Sequence, residues 1–301
     1  MRALAWHGFP IRVALAGCVW IALAASVGGQ QLEELRTGVR TSPPPEPKSP
    51  APAPKDDDDD CNNSCDDCCD DCCSGDMWLA AGYVTGMAIT APFWGPPVLI
   101  GDRYTEAGFF PRYPYEYDLG YMLIGPGEAY GLAGTREPWP WAARARAEYG
   151  TDFDGLEWIG GHLLVEGTWR WGIESDVRHI HEEWLPAGQD ELWLGDANVL
   201  FRFAQSESVQ MRTGLGVNFL NDPIGTDFGF NFTYGGDWFP MQPLVVSGEL
   251  DAGTLGSSHL YHLRGTIGAN WNISEVYLGY DYYDVGRTQI AGLVAGVRLW
   301  Y

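Results

Sequence analysis

The chain has few lysines, little positive charge and no long apolar run. Lys48 and Lys55 are its two lysines among 301 residues, and 18 Lys and Arg face 40 Asp and Glu, for a net charge of −22. A protein that binds nucleic acid needs a basic surface to release counterions from phosphates, so this balance argues against a nucleic-acid partner. No apolar run approaches the 20 or so residues of a spanning helix, which excludes a polytopic helical membrane protein.

Glycine and aromatic residues are abundant instead, with 39 Gly, 14 Trp, 15 Tyr and 12 Phe. In a chain this poor in Lys, they favour β-structure rich in aromatics and turns over a helical cytosolic enzyme. Cysteine and charge are unevenly distributed. Six of the seven Cys lie between Cys61 and Cys73, and the window from Asp56 to Asp76 contains ten Asp and no base. This asymmetry indicates a tail joined to a differently built domain.

Residues 1–29 are typical of an export signal. Arg2 and Arg12 precede an apolar stretch, residues 13–25, and small residues follow it. The alternative is a lipoprotein box at 15–18 with lipidation of Cys18. We favour ordinary cleavage, because lipidation would place the apolar residues 19–25 at the start of the mature chain. An uncleaved anchor is the third possibility.

Residues 30–60 predict a disordered linker, first rich in Pro and then in Asp, since they contain too few apolar residues to form a core. Residues 61–76 form a Cys/Asp-rich segment. Thiolates bind soft metal ions, but the spacing does not reproduce paired C-x-x-C motifs, so a disordered or disulfide-linked tether is favoured over metal binding or crosslinking between chains. The candidate metal ligands are Cys61, Cys65, Cys68, Cys69, Cys72 and Cys73.

Residues 77–138 are rich in aromatics, Gly and Pro, and we expect irregular structure that packs against the following domain. One or two extra strands are the alternative.

Residues 139–301 alternate apolar and polar residues, as strands with one apolar face do. In "ARARAEYG", for example, Arg144, Arg146 and Glu148 share one face and alanines share the other. We predict ten strands: 141–151, 155–166, 169–181, 191–205, 209–219, 227–239, 243–254, 259–271, 274–284 and 288–301. Most have ten or more residues, against five or six in ordinary globular proteins, and a strand that crosses a bilayer needs about 9–11.

The predicted fold is therefore all-β, an up-and-down antiparallel transmembrane β-barrel of about ten strands, with 8–12 possible. Closure is required because lipid cannot satisfy open strand edges. Links after strands two, four, six and eight are short, whereas those after strands three and five, "LPAGQD" and "LNDPIGT", are longer. This alternation predicts periplasmic turns, outer loops and a periplasmic N-terminal tether.

Aromatic residues near strand ends predict interfacial girdles at Trp141, Trp158, Trp169, Trp171, Trp184, Trp193, Trp238, Phe239, Trp271 and Trp300. The chain stops at Tyr301, with Leu299, Val297, Ala295 and Leu293 on the same face. In this last strand the sequence resembles the integral outer-membrane β-barrel proteins of Gram-negative-type bacteria. The resemblance implies an outer-membrane location, contact with outer-membrane lipid and recognition by the barrel-assembly machinery.

The polar face of the strands predicts a lumen in which opposite charges neutralise each other by pairing. A ten-stranded lumen filled in this way favours a plugged scaffold over an open pore. The predicted network consists of Arg144, Arg146, Glu148, Glu174, Asp176, Arg178, Arg202, Arg212, Glu249, Asp251, Arg264 and Asp281.

Catalysis is not expected. His179 and His181 in "RHIHEEW" are candidate metal ligands or acid/base groups. However, they fall on the same face of the strand as Trp171 and Ile173, which is the face predicted to contact lipid. No nucleophile elbow or zinc-protease motif occurs, and no cofactor is expected. We therefore predict a structural or interaction role, with the tether binding a periplasmic or envelope component. A small passive channel and a soluble secreted β-sandwich or barrel are the alternatives.

Overall fold

The structure, a computed structural model, describes residues 31–41, 74–102, 104–118, 120–125, 138–184 and 188–301. The predicted signal peptide with Cys18, most of the linker and the six clustered cysteines lie outside these residues. Two helices, α1 (Gln31–Arg40) and α2 (Ser74–Ile100), come first, followed by a short hairpin of β1 (Gly108–Phe109) and β2 (Leu123–Ile124). Neither helix has the length and apolar character needed to cross a membrane.

Ten antiparallel strands then close into a barrel, each paired with its neighbour along the chain and the last paired with the first. The predicted all-β up-and-down barrel is confirmed. The strands are β3 (Trp141–Thr151), β4 (Leu156–Gly167), β5 (Trp171–Trp184), β6 (Gly188–Gln205), β7 (Val209–Asp222), β8 (Gly225–Met241), β9 (Leu244–Leu255), β10 (Ser258–Trp271), β11 (Ser274–Val285) and β12 (Thr288–Trp300).

The two ends of the barrel differ in what covers them. The end that holds the β3–β4, β7–β8 and β11–β12 turns is covered by α1 and is called the helix end below. The opposite end, where β3 begins and β12 stops, is covered by the described residues of the segment 102–124 and is called the terminal end. The predicted tether would lie at the terminal end, next to the start of β3. Helix α1 belongs to that predicted tether but lies at the helix end.

The predicted alternation between short and long links is wrong. Three residues of "LPAGQD" and five of "LNDPIGT" extend the hairpins of β5 with β6 and of β7 with β8, so the described links at both ends have only two to four residues. The β7–β8 turn shows the cause, because the carboxylate of Asp222 accepts hydrogen bonds from the backbone amides of Ile224 and Gly225 at 2.8 and 2.9 Å. Such an Asx turn allows the strands to continue almost to the tip.

Both helices correct the expectation of linker and irregular structure. Leu32, Leu35 and Val39 in α1 follow helical spacing and are fully buried, so tertiary packing orders a segment that precedes the proline run. Helix α2 contains Pro92, Pro96 and Pro97. Its C-terminal part packs on the outside of the barrel, where the ring of Phe93 lies 5.8 Å from that of Phe203.

Glycines at the helix end leave space for the inward-pointing ring of Trp158. A Cβ atom on Gly150 would lie 2.1 Å from Cε2 of this ring, whereas one on Gly265 would meet no atom within 4 Å. We expect Gly150→Ala to lower the free energy of unfolding by about 1–3 kcal/mol through overpacking. Gly265→Ala is the matched control and should change it by less than about 0.5 kcal/mol. Urea unfolding in detergent, followed by Trp fluorescence, compares them, and equal effects would contradict the packing assigned to Trp158.

Candidate functional site

The candidate site is the interior of the barrel together with the segments that cover its two ends. At the helix end, inward-facing apolar side chains form a cup that receives Leu32, Leu35 and Val39 of α1. Burying these three side chains removes apolar surface from water and stabilises the helix in place. The cup consists of Leu156, Trp158, Ile180, Leu192, Leu194, Leu220, Leu255, Leu260, Tyr283, Val285 and Ile290.

Carboxylates at the rim of the cup hold the polar side of α1. Glu182 accepts hydrogen bonds from the backbone amides of Gln31 and Leu32 at 2.9 and 3.0 Å, which satisfies free donors at the helix N-terminus. Arg36 pairs with Asp190 and, at 2.8 Å, with Asp222. These contacts add to the apolar packing and fix the helix in one orientation.

The C-terminal turn of α1 is held by the β7–β8 and β9–β10 hairpins. Arg40 pairs with Asp222 at 2.9 Å and with Asp227 at 2.8 Å. The amide of Ser257 donates to the carbonyl of Val39 at 2.8 Å. The hydroxyl of Ser258 donates to the carbonyl of Gly38 at 2.7 Å. Both ends of this short helix are therefore fixed to the barrel.

Residues 102–124 cover the terminal end. Asp102 forms a bidentate ion pair with Arg170, both bonds 2.7 Å long, and accepts the amide of Gln205 at 3.0 Å. The buried rings of Phe110 and Tyr121 point into the barrel, and Tyr121 lies edge-on to Trp300 with ring centroids 4.5 Å apart.

A tyrosine attaches the same segment to the β8–β9 hairpin. Its hydroxyl, on Tyr115, donates to the carbonyl of Leu244. Burial raises the pKa of Tyr115 to about 12, so the hydroxyl keeps the proton that it donates.

Between the two covers, the interior is filled by ion pairs. Seven arginines point inward and pair with six carboxylates at 2.5–3.6 Å. The arginines are Arg144, Arg146, Arg178, Arg202, Arg212, Arg264 and Arg298, and the carboxylates are Glu148, Glu166, Asp176, Asp237, Glu275 and Asp281. Many pairs join strands that are not neighbours in the barrel, so they connect the walls across the lumen.

Arg264 is the centre of this network. Its guanidinium lies 2.8 Å from both Glu148 and Asp281, and Asp281 also pairs with Arg178 at 2.6 Å. The hydroxyl of Tyr277 donates to Glu148 at 2.7 Å. Each carboxylate thus accepts several charge-assisted hydrogen bonds, which offset the cost of removing these charges from water.

Two small cavities lie among these side chains. The larger, of about 20 Å³, is lined by five arginines together with Asp237 and Glu249, and the other has about 10 Å³. The larger volume is about the minimum that one water molecule needs.

The structure places all twelve residues of the predicted charge network inside the barrel, with Glu249 more exposed than the rest. Sequence reasoning left Asp196, Asp237, Glu275, Arg298, His162 and His262 out of that network, although strand parity would have found them. The two covers were also missed. The helical spacing of Leu32, Leu35 and Val39 was a signal for α1, whereas residues 102–124 lack regular periodicity.

Other predicted residues lie on the outer wall. His179 is 3.3 Å from Glu191 and contacts the ring of Trp193, and His181 is 3.5 Å from Glu183, all near the helix end. The predicted assembly residues Leu293, Ala295, Val297, Leu299 and Tyr301 point outward.

The predicted girdle needs correction at three positions. Trp158, Phe239 and Trp300 are buried inside the barrel, where they pack against the two covers. Exposed aromatic side chains do surround the terminal end: Trp141, Trp169, Trp171, Trp238, Trp271 and Tyr301.

Several solved structures are similar to this chain. The β domain of the Bordetella autotransporter BrkA matches with a TM-score of 0.32 and 11% identity, over 54% of this chain and 98% of that one. Ail, the attachment invasion locus protein of Yersinia pestis, matches with a TM-score of 0.27 and 12% identity, over 54% of this chain and 96% of that one. KdgM porin matches with a TM-score of 0.24 and 13% identity, over 52% of this chain and 98% of that one. No family model and no curated protein matches the chain.

Proposed function

We propose that the chain is an outer-membrane β-barrel with a structural role, closed at both ends and non-conducting, which anchors its own N-terminal region. The observation that carries this proposal is the inverted side-chain pattern, with charges inside and apolar residues outside. Many large apolar side chains on the strands point outward and are exposed, among them Ile159, Leu163, Ile173, Val199, Leu215, Val217, Phe228, Phe230, Leu250, Leu263, Ile267, Val276, Leu278, Leu293, Val297 and Leu299.

This pattern suits a bilayer and not water. A soluble β-barrel or sandwich buries its apolar residues and exposes its charged ones, and an apolar surface this extensive would associate in water. Strands of 11–18 residues are also long enough to cross the hydrocarbon core when tilted. Both features favour a membrane location over the soluble alternative.

The filled interior and the two covers support closure over the passive channel. A conducting pore needs a continuous water path, and the ion pairs between non-neighbouring strands occupy the described lumen. A non-catalytic role fits the same arrangement, because the seven inward-facing arginines are paired with carboxylates.

The anchoring role follows from where the N-terminal region is attached. Helix α1 is fixed at the helix end, while α2 contacts the outer wall at Pro92 and Phe93 and Asp102 is fixed at the terminal end. Residues 42–73, with their acidic and cysteine-rich sequence, are thus attached to the barrel through both flanks. An envelope component is the proposed partner of this acidic, cysteine-rich sequence.

Membrane association is tested by extraction and gel mobility. We expect the protein to stay in the membrane fraction through a urea wash, to dissolve in detergent, and to migrate faster in SDS gels unheated than after boiling, because a closed barrel resists SDS. Release by urea with a single mobility would contradict the proposed location.

A further inference from the structure

Four carboxylates inside the barrel are not neutralised by the arginine pairs. They are Glu174 on β5, Asp196 on β6, and Glu249 and Asp251 on β9. In the described part of the chain, the guanidinium within 4 Å of any of them is that of Arg146, 3.9 Å from Oε2 of Glu249. The lumen charge is therefore divided between a paired arginine region and a group of four carboxylates to which no described guanidinium comes closer than 3.9 Å.

These four carboxylates are close enough to repel one another. Glu174 interacts unfavourably with Glu249 and Asp251, and so does Asp196. The neutral amide of Asn198 donates to Glu174 at 3.2 Å and to Asp196 at 2.7 Å, which adds no positive charge. Several like charges out of water cost far more than such neutral contacts return, so the group must take up positive charge, either as protons or as a bound cation.

His262 lies between two carboxylates, and each of its ring nitrogens contacts one of them. Its Nδ1 lies 2.6 Å from Oδ2 of Asp251 and its Nε2 lies 2.6 Å from Oδ1 of Asp281. When Nε2 carries the proton and donates to Asp281, Nδ1 and Asp251 face each other as two acceptors. A carboxylate that orients one ring nitrogen while the other binds a cation is the usual setting of a metal-binding histidine.

The histidine ring is also held in a fixed orientation. It stacks on Tyr283 with 4.0 Å between ring centroids and an interplanar angle of 11°. Donor atoms of Glu249, Asp251 and His262 all lie within 4.8 Å of one another, so a small movement brings them around one ion.

A second histidine beside the group is incompletely satisfied. His162 is buried, its Nδ1 has no hydrogen-bond partner, and its Nε2 lies 3.6 Å from Oε2 of Glu174. Buried polar atoms normally have partners, so this one marks the region as short of a positively charged or donor group.

We propose that Glu249, Asp251 and His262 bind one divalent transition-metal ion of the Zn²⁺ or Mn²⁺ type inside the barrel. One imidazole with carboxylates suits this class better than the all-oxygen sites of Ca²⁺ and Mg²⁺. A charge of +2 offsets two of the four carboxylates and relieves the repulsion from Glu174 and Asp196. A protonated His262 without metal would offset only one.

The test is metal retention by the full chain, refolded in detergent with and without Zn²⁺. All seven cysteines, Cys18 and the six clustered ones, are changed to Ser in one form, so that thiolates cannot supply the signal. We expect one Zn²⁺ per chain after desalting in both forms, and a higher midpoint of thermal unfolding with metal. X-ray absorption of the cysteine-free form should show nitrogen and oxygen ligands at about 2.0–2.1 Å.

Glu249→Gln and Asp251→Asn are the ligand variants, and Glu275→Gln, a buried carboxylate in the paired region, is the matched control. We expect the ligand variants to lower Zn²⁺ affinity at least about 100-fold and the control to leave it within about threefold. Glu249→Gln keeps the test informative if Asp251→Asn fails to fold, because Glu249 is less buried. Absence of retained Zn²⁺ from the cysteine-free chain would overturn the proposal in favour of a protonated His262 between Asp251 and Asp281. Unchanged affinity in Glu249→Gln would overturn it as well.

Discussion

Replacement of Arg264 by alanine is expected to lower the free energy of unfolding by about 3–5 kcal/mol. The change leaves Glu148 and Asp281 in the interior without the guanidinium that lies 2.8 Å from each. Removing one member of a buried network costs more than the pair itself contributes, because the remaining charges stay out of water. Urea unfolding in detergent micelles, followed by Trp fluorescence, measures the loss.

A matched control and a double-mutant cycle test whether the loss of stability comes from the ion-pair network or from the removal of any arginine. Arg287 is exposed at the β11–β12 turn, and Arg287→Ala should change the free energy of unfolding by less than about 0.5 kcal/mol. Combining Arg264→Ala with Glu148→Gln should cost less than the sum of the two single changes, by at least about 0.5 kcal/mol. Additive effects, or equal effects at residues 264 and 287, would contradict the network.

Leu35→Asp is expected to release α1 from the helix end. Leu35 is fully buried in the apolar cup, so the substitution would place a charge there without a partner, at a cost of several kcal/mol. The helix would undock and expose the peptide bonds after Arg36 and Arg40. Limited trypsin digestion of the folded barrel should then cleave this segment about 100-fold faster than in the parent chain, which corresponds to about 3 kcal/mol.

Thr37→Asp adds the same charge to the exposed side of the same helix and serves as the control. It should leave the trypsin rate within about threefold, and both variants should keep the heat-dependent gel mobility of a closed barrel. Equal cleavage of the two variants, or protection of Leu35→Asp, would show that the apolar face of α1 does not hold it in the cup.

The barrel was predictable because its local patterns agree with its topology. Ten long alternating segments separated by turn residues specify both the strands and the face that each residue occupies. The predicted bounds differ from the observed ones mainly around β5 to β8, where apparent loops continue as strands. There the carboxylate of Asp222 forms the turn and α1 packs on the hairpins, and neither contact can be read from local sequence.

The candidate site was only partly predictable. Parity identified inward-facing residues such as Arg178 and Asp281, but their pairing joins β5 to β11 and depends on side-chain rotamers inside a closed lumen. The covers depend on contacts more than a hundred residues apart, for example between Asp102 and Gln205 and between Arg36 and Asp190. A 10-residue amphipathic helix such as α1 is marginal alone and forms because the cup buries its apolar face.

A membrane-embedded barrel that is filled and covered in this way should have no water path through it. Purified protein, reconstituted into a planar lipid bilayer after its heat-dependent gel mobility has been verified, tests this claim most directly through single-channel current recording. We expect no steady conductance at any applied voltage that the bilayer tolerates. Reproducible single-channel steps of constant size from the same preparation would contradict it.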